Sequence, residues 1–352
     1  YGQRALDQLP PNALHIRTVA HAVISGSLQM QGEFNKAVEM LSEVLDDPTW
    51  PDHIRPKILQ SLSAIAFMEG ELPRVMAASQ ELLRRGQRLR LPTMVGFGSY
   101  FLGTGHYLRD ELQDAEEYLL GLVKNRDLAA PSYVAHGTYA LACIHLARGN
   151  VSDAEQIMET VKLHFLEIGH SNAYRILEAA GVELTLRTGD LEEARRKSAR
   201  VTQFDLRPPI WFWYVPQLTP IKLLLAEGTP ESLAAARTAL EVMDEQMGKI
   251  HRKTVRIDVL SLLSLVRDAQ GVEIAACDKL AEAIALAEPG GFIRNFVDLG
   301  QPMANLLTRL RVRSQVSPPG VFQHVDRILD AFDATSTRHP PTWSTESRTP
   351  PT

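Results

Sequence analysis

The sequence predicts an all-α fold: a right-handed superhelix, or solenoid, built from seven helical hairpins. Three observations lead there. Leu and Ala dominate a chain of 352 residues, and no stretch alternates apolar and polar residues as a half-buried strand would. Short Gly- or Asp-centred turns recur at 32, 70, 110, 149, 189, 228 and 271, so successive spacings are 38, 40, 39, 40, 39 and 43. Small side chains recur at fixed offsets from those turns. A constant period near 40 residues is the mark of stacked helical hairpins, each too small to bury its apolar face alone.

Each hairpin is legible in order. The first turns at Gln31-Gly32-Glu33-Phe34, the second at Glu69-Gly70-Glu71-Leu72, the third at Arg109-Asp110-Glu111-Leu112. The fourth and fifth turn at Arg148-Gly149-Asn150-Val151 and Thr188-Gly189-Asp190-Leu191, the last two at Glu227-Gly228-Thr229-Pro230 and Gln270-Gly271-Val272-Glu273. Gly stops a helix because it enters the left-handed region at little cost. Acidic residues near the restart suit the positive end of the new helix. Five residues past the turn stand Ala37, Ala115, Ala154, Ala194 and Ala276, with Val75 as the larger exception. Seven residues before it stand Ser25, Ser63, Gly103, Ala142 and Ser264. Small residues on facing helices allow close approach of the two axes. The unit is similar to a tetratricopeptide repeat with lengthened helices.

Beyond the repeats, residues 284–310 carry a denser pattern. It includes Glu288-Pro289-Gly290-Gly291-Phe292, then Arg294, Phe296, Asp298 and Gly300, followed by Pro302-Met303 and Leu306-Leu307. This resembles the end of the superhelical sensor domain in MalT-like, LuxR-type ATP-dependent transcriptional regulators. The later stretch Gly320 to Phe332 resembles that family's last helix before its DNA-binding module. The resemblance covers residues 1 to about 334. It implies a superhelical sensor domain over 1–315, a terminal helix over 316–334, and a Pro-, Ser- and Thr-rich linker over 335–352. It also implies a nucleotide-binding module upstream and a helix-turn-helix downstream. The chain opens on Tyr1 and is expected to be cut from such a longer protein. No Gly-x-x-x-x-Gly-Lys-Ser/Thr loop occurs, so ATP is expected only in the upstream module and no cofactor in this chain.

Composition constrains function further. A formal net charge of −5 argues against a nucleic-acid surface, so DNA contact is expected only through the downstream module. No run of about 18 apolar residues is present, so no membrane span is expected, and with no export signal the expected location is the cytoplasm. Cys143 and Cys277 lack metal or redox spacing and read as buried thiols. The histidines are scattered, and no metal site is expected. Metalloprotease and serine-hydrolase signatures are missing too, so the chain reads as non-catalytic.

Binding is the remaining class. In such arrays the first helix of each hairpin lines the concave face, which places inward positions about 13, 10, 6 and 3 residues before each turn. That selects Gln60, Tyr100, Thr104, Tyr107, His136, Tyr139, Glu183, Arg187 and Lys222, with Trp211 continuing the face. The first repeat offers only Val19, Ala22, Gly26 and Gln29. The run Trp211-Phe212-Trp213-Tyr214, after Pro208-Pro209, is expected to open a helix. The candidate ligand site is therefore Tyr100, Tyr107, His136, Tyr139, Glu183, Arg187, Trp211 and Lys222: flat faces for stacking, charges for orientation. For each aromatic the alternative is packing between repeats. Two functions fit this face. One is sensing of a small-molecule inducer, with self-association on activation. The other is a scaffold that takes a peptide or regulatory protein in the groove. A small-molecule site should converge on a few repeats; a peptide groove should spread over many.

Overall fold

A computed structural model describes residues 4, 6, 8–10, 12–201, 212–313 and 319–336. Among the described residues the chain is helical with no strand. The seven hairpins are α1 (Leu14–Met30) with α2 (Phe34–Asp46), α3 (Arg55–Glu69) with α4 (Leu72–Arg88), and α5 (Pro92–Leu108) with α6 (Leu112–Lys124). Next come α7 (Pro131–Ala147) with α8 (Val151–Glu167) and α9 (Ser171–Arg187) with α10 (Leu191–Ser198). The last two are α11 (Thr219–Glu227) with α12 (Pro230–Lys249) and α13 (Lys253–Ala269) with α14 (Glu273–Ala287). All seven turns join the two helices of one hairpin.

The turn chemistry works as the sequence predicts, with one informative exception. Six turns place Gly at positive φ, between 67° and 88°. The third uses Asp110, at φ 65°, where a side chain costs conformational energy. That side chain accepts from Arg294 Nη1 at 3.2 Å, so the cost is tied to a long-range contact.

The small-residue stripes are buried at the hairpin cores. Ala37, Ala115, Ala154, Ala194 and Ala276 have no solvent exposure, nor do Ser25, Ser63, Ala142 and Ser264. At Gly103 the approach is tight: a Cβ would stand 2.6 Å from Leu119 Cγ. The first helices α3, α5, α7 and α13 are buried over most of their circumference because neighbours cover them on both sides. The leading helix α1 buries a single stripe, as do second helices such as α6 with Ala115, Leu119, Leu122 and Val123.

The sixth repeat departs from the regular unit. Its first helix, α11, has 9 residues where neighbouring first helices have 17. The aromatic run does not open a helix. Phe212–Val215 is non-helical, a 3-10 turn spans Pro216–Leu218, and α11 starts only at Thr219. The reason is local. Pro216 disfavours helical backbone in the residue before it, and Val215 sits at φ −115°, ψ 94°.

The array bends round until its two ends meet. Gln29 Nε2 donates to the His251 carbonyl at 2.8 Å, and Lys253 pairs with Glu69. Gln29, unremarkable in sequence, is thus fully buried at the closure. The chain then crosses the interior. After a 3-10 turn (Glu288–Gly290), α15 (Arg294–Val297) lies inside, and α16 (Gly300–Arg313) packs on α14. Ile293 N–H donates to the Leu108 carbonyl at 2.7 Å, tying this crossing to the third repeat. Phe292 and Phe296 are fully buried. The helix α17 (Pro319–Ser336) packs against α14, α15 and α16, and a His324 ring nitrogen meets the Phe292 carbonyl at 2.8 Å. Of the stretch read as a linker, residues 337–352 lie outside the described residues. No helix among the described residues is long and apolar enough to cross a membrane.

Candidate functional site

The crossing segment fills much of the interior and leaves a cavity of about 780 Å³ between it and repeats three to seven. Helices α9, α11 and α13, the segment 213–218 and residues 294–302 supply most of its wall. Five of the eight residues selected from the sequence line it: Tyr107, Tyr139, Glu183, Arg187 and Lys222. Trp211 lies outside the described residues.

Tyr100 and His136 do not reach the cavity, because the aromatic run is laid over them. Phe212 stacks on the His136 ring at 4.0 Å with an interplanar angle of 1°. The Trp213 backbone N–H donates to the Tyr100 hydroxyl at 3.2 Å, and its indole N–H donates to the His136 carbonyl at 3.2 Å. Tyr100 packs edge-on against Tyr133, Phe101 and Phe212. Burial holds the His136 pKa down to about 3, so that ring is neutral near pH 7. These two residues serve inter-repeat packing. Gln60 and Thr104 are also buried, and Thr104 bonds back to the Tyr100 carbonyl.

Two polar knots organise the cavity wall. The first centres on Asp298. It accepts from the Tyr107 hydroxyl, from Arg294 and from Arg187, the last at 2.6 Å. Arg187 also points at Cys143 Sγ, 2.8 Å away. Burial alone would raise the Asp298 pKa, but Arg187 and Arg294 outweigh it and hold the carboxyl below its usual value. Burial likewise opposes the Arg187 charge, and Asp298 together with Cys143, Tyr107 and Tyr139 more than compensates. This knot joins repeats three and five to the crossing segment.

The second knot centres on Glu183. Lys222 Nζ sits 2.6 Å from it, Thr219 donates at 2.7 Å and the Tyr139 hydroxyl at 3.0 Å. Tyr214 and Thr219 hydroxyls meet at 2.9 Å. Trp213 stacks on Tyr139 with ring centres 5.4 Å apart and an angle of 11°. Burial raises the pKa values of Tyr107, Tyr139 and Tyr214 well above normal, so these phenols stay protonated donors.

Asp258, on α13, stands apart from both knots. It lines the cavity and accepts from Asn295 Nδ2 at 2.7 Å. Burial pushes its pKa up to about 6, with Lys222 and Asn295 offsetting part of that rise and Glu183 and Asp298 adding to it.

The sequence selection missed Trp213, Tyr214, Asp258, Arg294, Asn295 and Asp298, all of which line the cavity. Some signal existed. The same offsets taken from Gly271 give Asp258, Ser261, Leu265 and Asp268, three of which line the cavity. Arg294 and Asp298 belong to the pattern that carried the family resemblance, but only the fold shows them turned inward.

Both cysteines are buried free thiols. Among the described residues, His106, Glu111 and Asp114 bring metal-ligand chemistry together on the outer surface. There His106 Nδ1 is 2.6 Å from Glu111 and its ring stacks on Tyr118 at 5.6 Å. That arrangement is a satisfied surface hydrogen bond.

A closed ring of tetratricopeptide-like hairpins, with a charged and aromatic cavity at its centre, defines a helical-repeat domain with an internal pocket. A family model described as the MalT-like TPR region matches residues 1–313, and the chain belongs to that family. No curated protein matches it significantly.

Proposed function

We propose that this chain is the inducer-sensing domain of a LuxR-type bacterial transcription regulator and that it binds a small molecule in the central cavity. The observation that carries this reading is the cavity itself. Its volume of about 780 Å³ lies within the range of small-molecule sites. Its wall combines flat aromatic surface at Trp213 and Tyr139 with oriented charges at Arg187, Lys222 and Glu183. Such a wall suits a ligand that is partly apolar and partly hydrogen-bonding.

The scaffold reading is less favoured. A peptide groove needs an open concave surface along many repeats, and here residues 288–299 occupy that surface. The domain acts without catalysis and without a cofactor of its own; ATP and DNA belong to other modules of a cytoplasmic regulator that self-associates when the inducer binds.

A thermal-shift screen against small metabolites tests the reading, since a ligand that binds only the folded state raises its melting temperature. A hit whose effect disappears in Trp213→Ala, with that variant still folded by circular dichroism, supports the site. A ligand that binds undiminished in variants at Trp213, Tyr139 and Lys222 refutes it.

A further inference from the structure

Resting on the reading of the cavity as the ligand site, we infer that the ligand carries a primary ammonium group, held by Asp258 and Asn295, on a body flat enough to lie against Trp213 and Tyr139.

The argument is one of unmet partners. Among the described residues three cations line the cavity, and each is already paired. Arg187 and Arg294 hold Asp298, and Lys222 holds Glu183. Carboxylates outnumber cations on the wall, and all but one have a cationic partner. Glu227 meets Arg195 at 3.1 Å and Asp268 meets Arg309 at 2.5 Å. Asp258 is the exception among the described residues: its direct contact is the neutral Asn295 amide. A ligand carboxylate or phosphate would find every cation engaged and would face surplus negative charge. A ligand cation would complete the set.

Asn295 narrows the class. Its amide must turn the NH2 toward the Asp258 carboxylate, because two acceptors cannot face each other. The carbonyl oxygen therefore points the other way, and it is buried with no hydrogen-bond partner. Asp258 and Asn295 both line the cavity, and each keeps an acceptor with unused capacity. A primary ammonium has three N–H donors and can serve both, whereas a quaternary ammonium has none. Burial raises the Asp258 pKa, and the charge of Lys222, which is paired with Glu183, offsets only part of that rise. Nearby aromatic faces add attraction for a cation brought into the cavity.

Three matched probes test the inference at pH 7.5: 2-phenylethylammonium, 2-phenylethanol and 3-phenylpropionate, read by thermal shift and calorimetry. The expected result is saturable binding of the ammonium alone, weakened about thirtyfold or more in Asp258→Asn, as for loss of one partner from a buried charge pair. Asn is nearly isosteric, and circular dichroism checks its fold. If the alcohol or the carboxylate binds as well as the ammonium, the inference falls while the cavity stands as the site. The same holds if Asp258→Asn binds the ammonium undiminished and Trp213→Ala does not. No response to any probe also overturns the inference, and the cavity is then judged by the metabolite screen alone.

Discussion

Two halves of the inner wall use the same residue types and end differently. At repeats three and four, Tyr100, Tyr133, Phe97 and His136 are sealed, ring against ring, under Phe212. Tyr139 at the far side of repeat four, and Glu183, Lys222 and Asp258 of repeats five to seven, face an open cavity. The segment 212–215 makes the difference. It packs one face against the third and fourth repeats and offers Trp213 and Tyr214 to the cavity on the other. Concave position alone therefore does not make a residue a binding residue. What lies over it decides.

The acids of the wall sharpen this contrast. Asp298 is saturated with donors and Asp258 is not, so they should respond oppositely to mutation. Asp298→Ala leaves Arg187 and Arg294 buried without their main counter-ion. Urea unfolding should show a loss of about 3–5 kcal/mol, the usual cost of breaking a buried pair from one side. An effect below about 1 kcal/mol would mean that the knot does not hold the crossing segment in place.

Asp258→Asn should behave the other way. The Asp258 pKa rises from 3.8 to about 6 on folding, so the folded state binds the extra proton between those values. Stability from this group is greatest below the unfolded pKa and falls as pH rises through about 6. At pH 7 the ionised carboxyl then costs about 2–3 kcal/mol, since each tenfold change in proton affinity is worth roughly 1.4 kcal/mol. Unfolding free energies of the native protein and Asp258→Asn, measured at pH 4.5 and pH 7.5, should differ in their pH slope. The variant should be at least as stable at the higher pH. Equal slopes would show that Asp258 titrates normally and is well solvated.

Packing within the first helices gives the smaller effects. Gly103→Ala forces a methyl against Leu119 and should cost about 1–3 kcal/mol, as overpacking does. Gly26, mid-helix in α1, has nothing within 4 Å of an added Cβ. Gly26→Ala should therefore stabilise by about 0.5–1 kcal/mol through helix propensity. Equal responses at the two sites would contradict the tight hairpin at the third repeat.

The sequence by itself determined the repeat. Turn spacing, Gly at the helix stops and small residues at fixed offsets are local or nearest-neighbour signals, and all seven turns stand at the positions that spacing predicts. Helical period also named five cavity residues, since it fixes which side of a helix a position occupies. The tertiary structure alone decided which inward positions stay open. Tyr100 and Tyr139 share a helical offset, but Phe212, more than 70 residues along the chain, packs beside one and Trp213 stacks on the other. Asp298 meets Tyr107 across 191 residues, and Arg294 meets Asp110 across 184. Small rotations from repeat to repeat add up to a closed ring, and that sum sets which distant segments meet. No single window of sequence contains it.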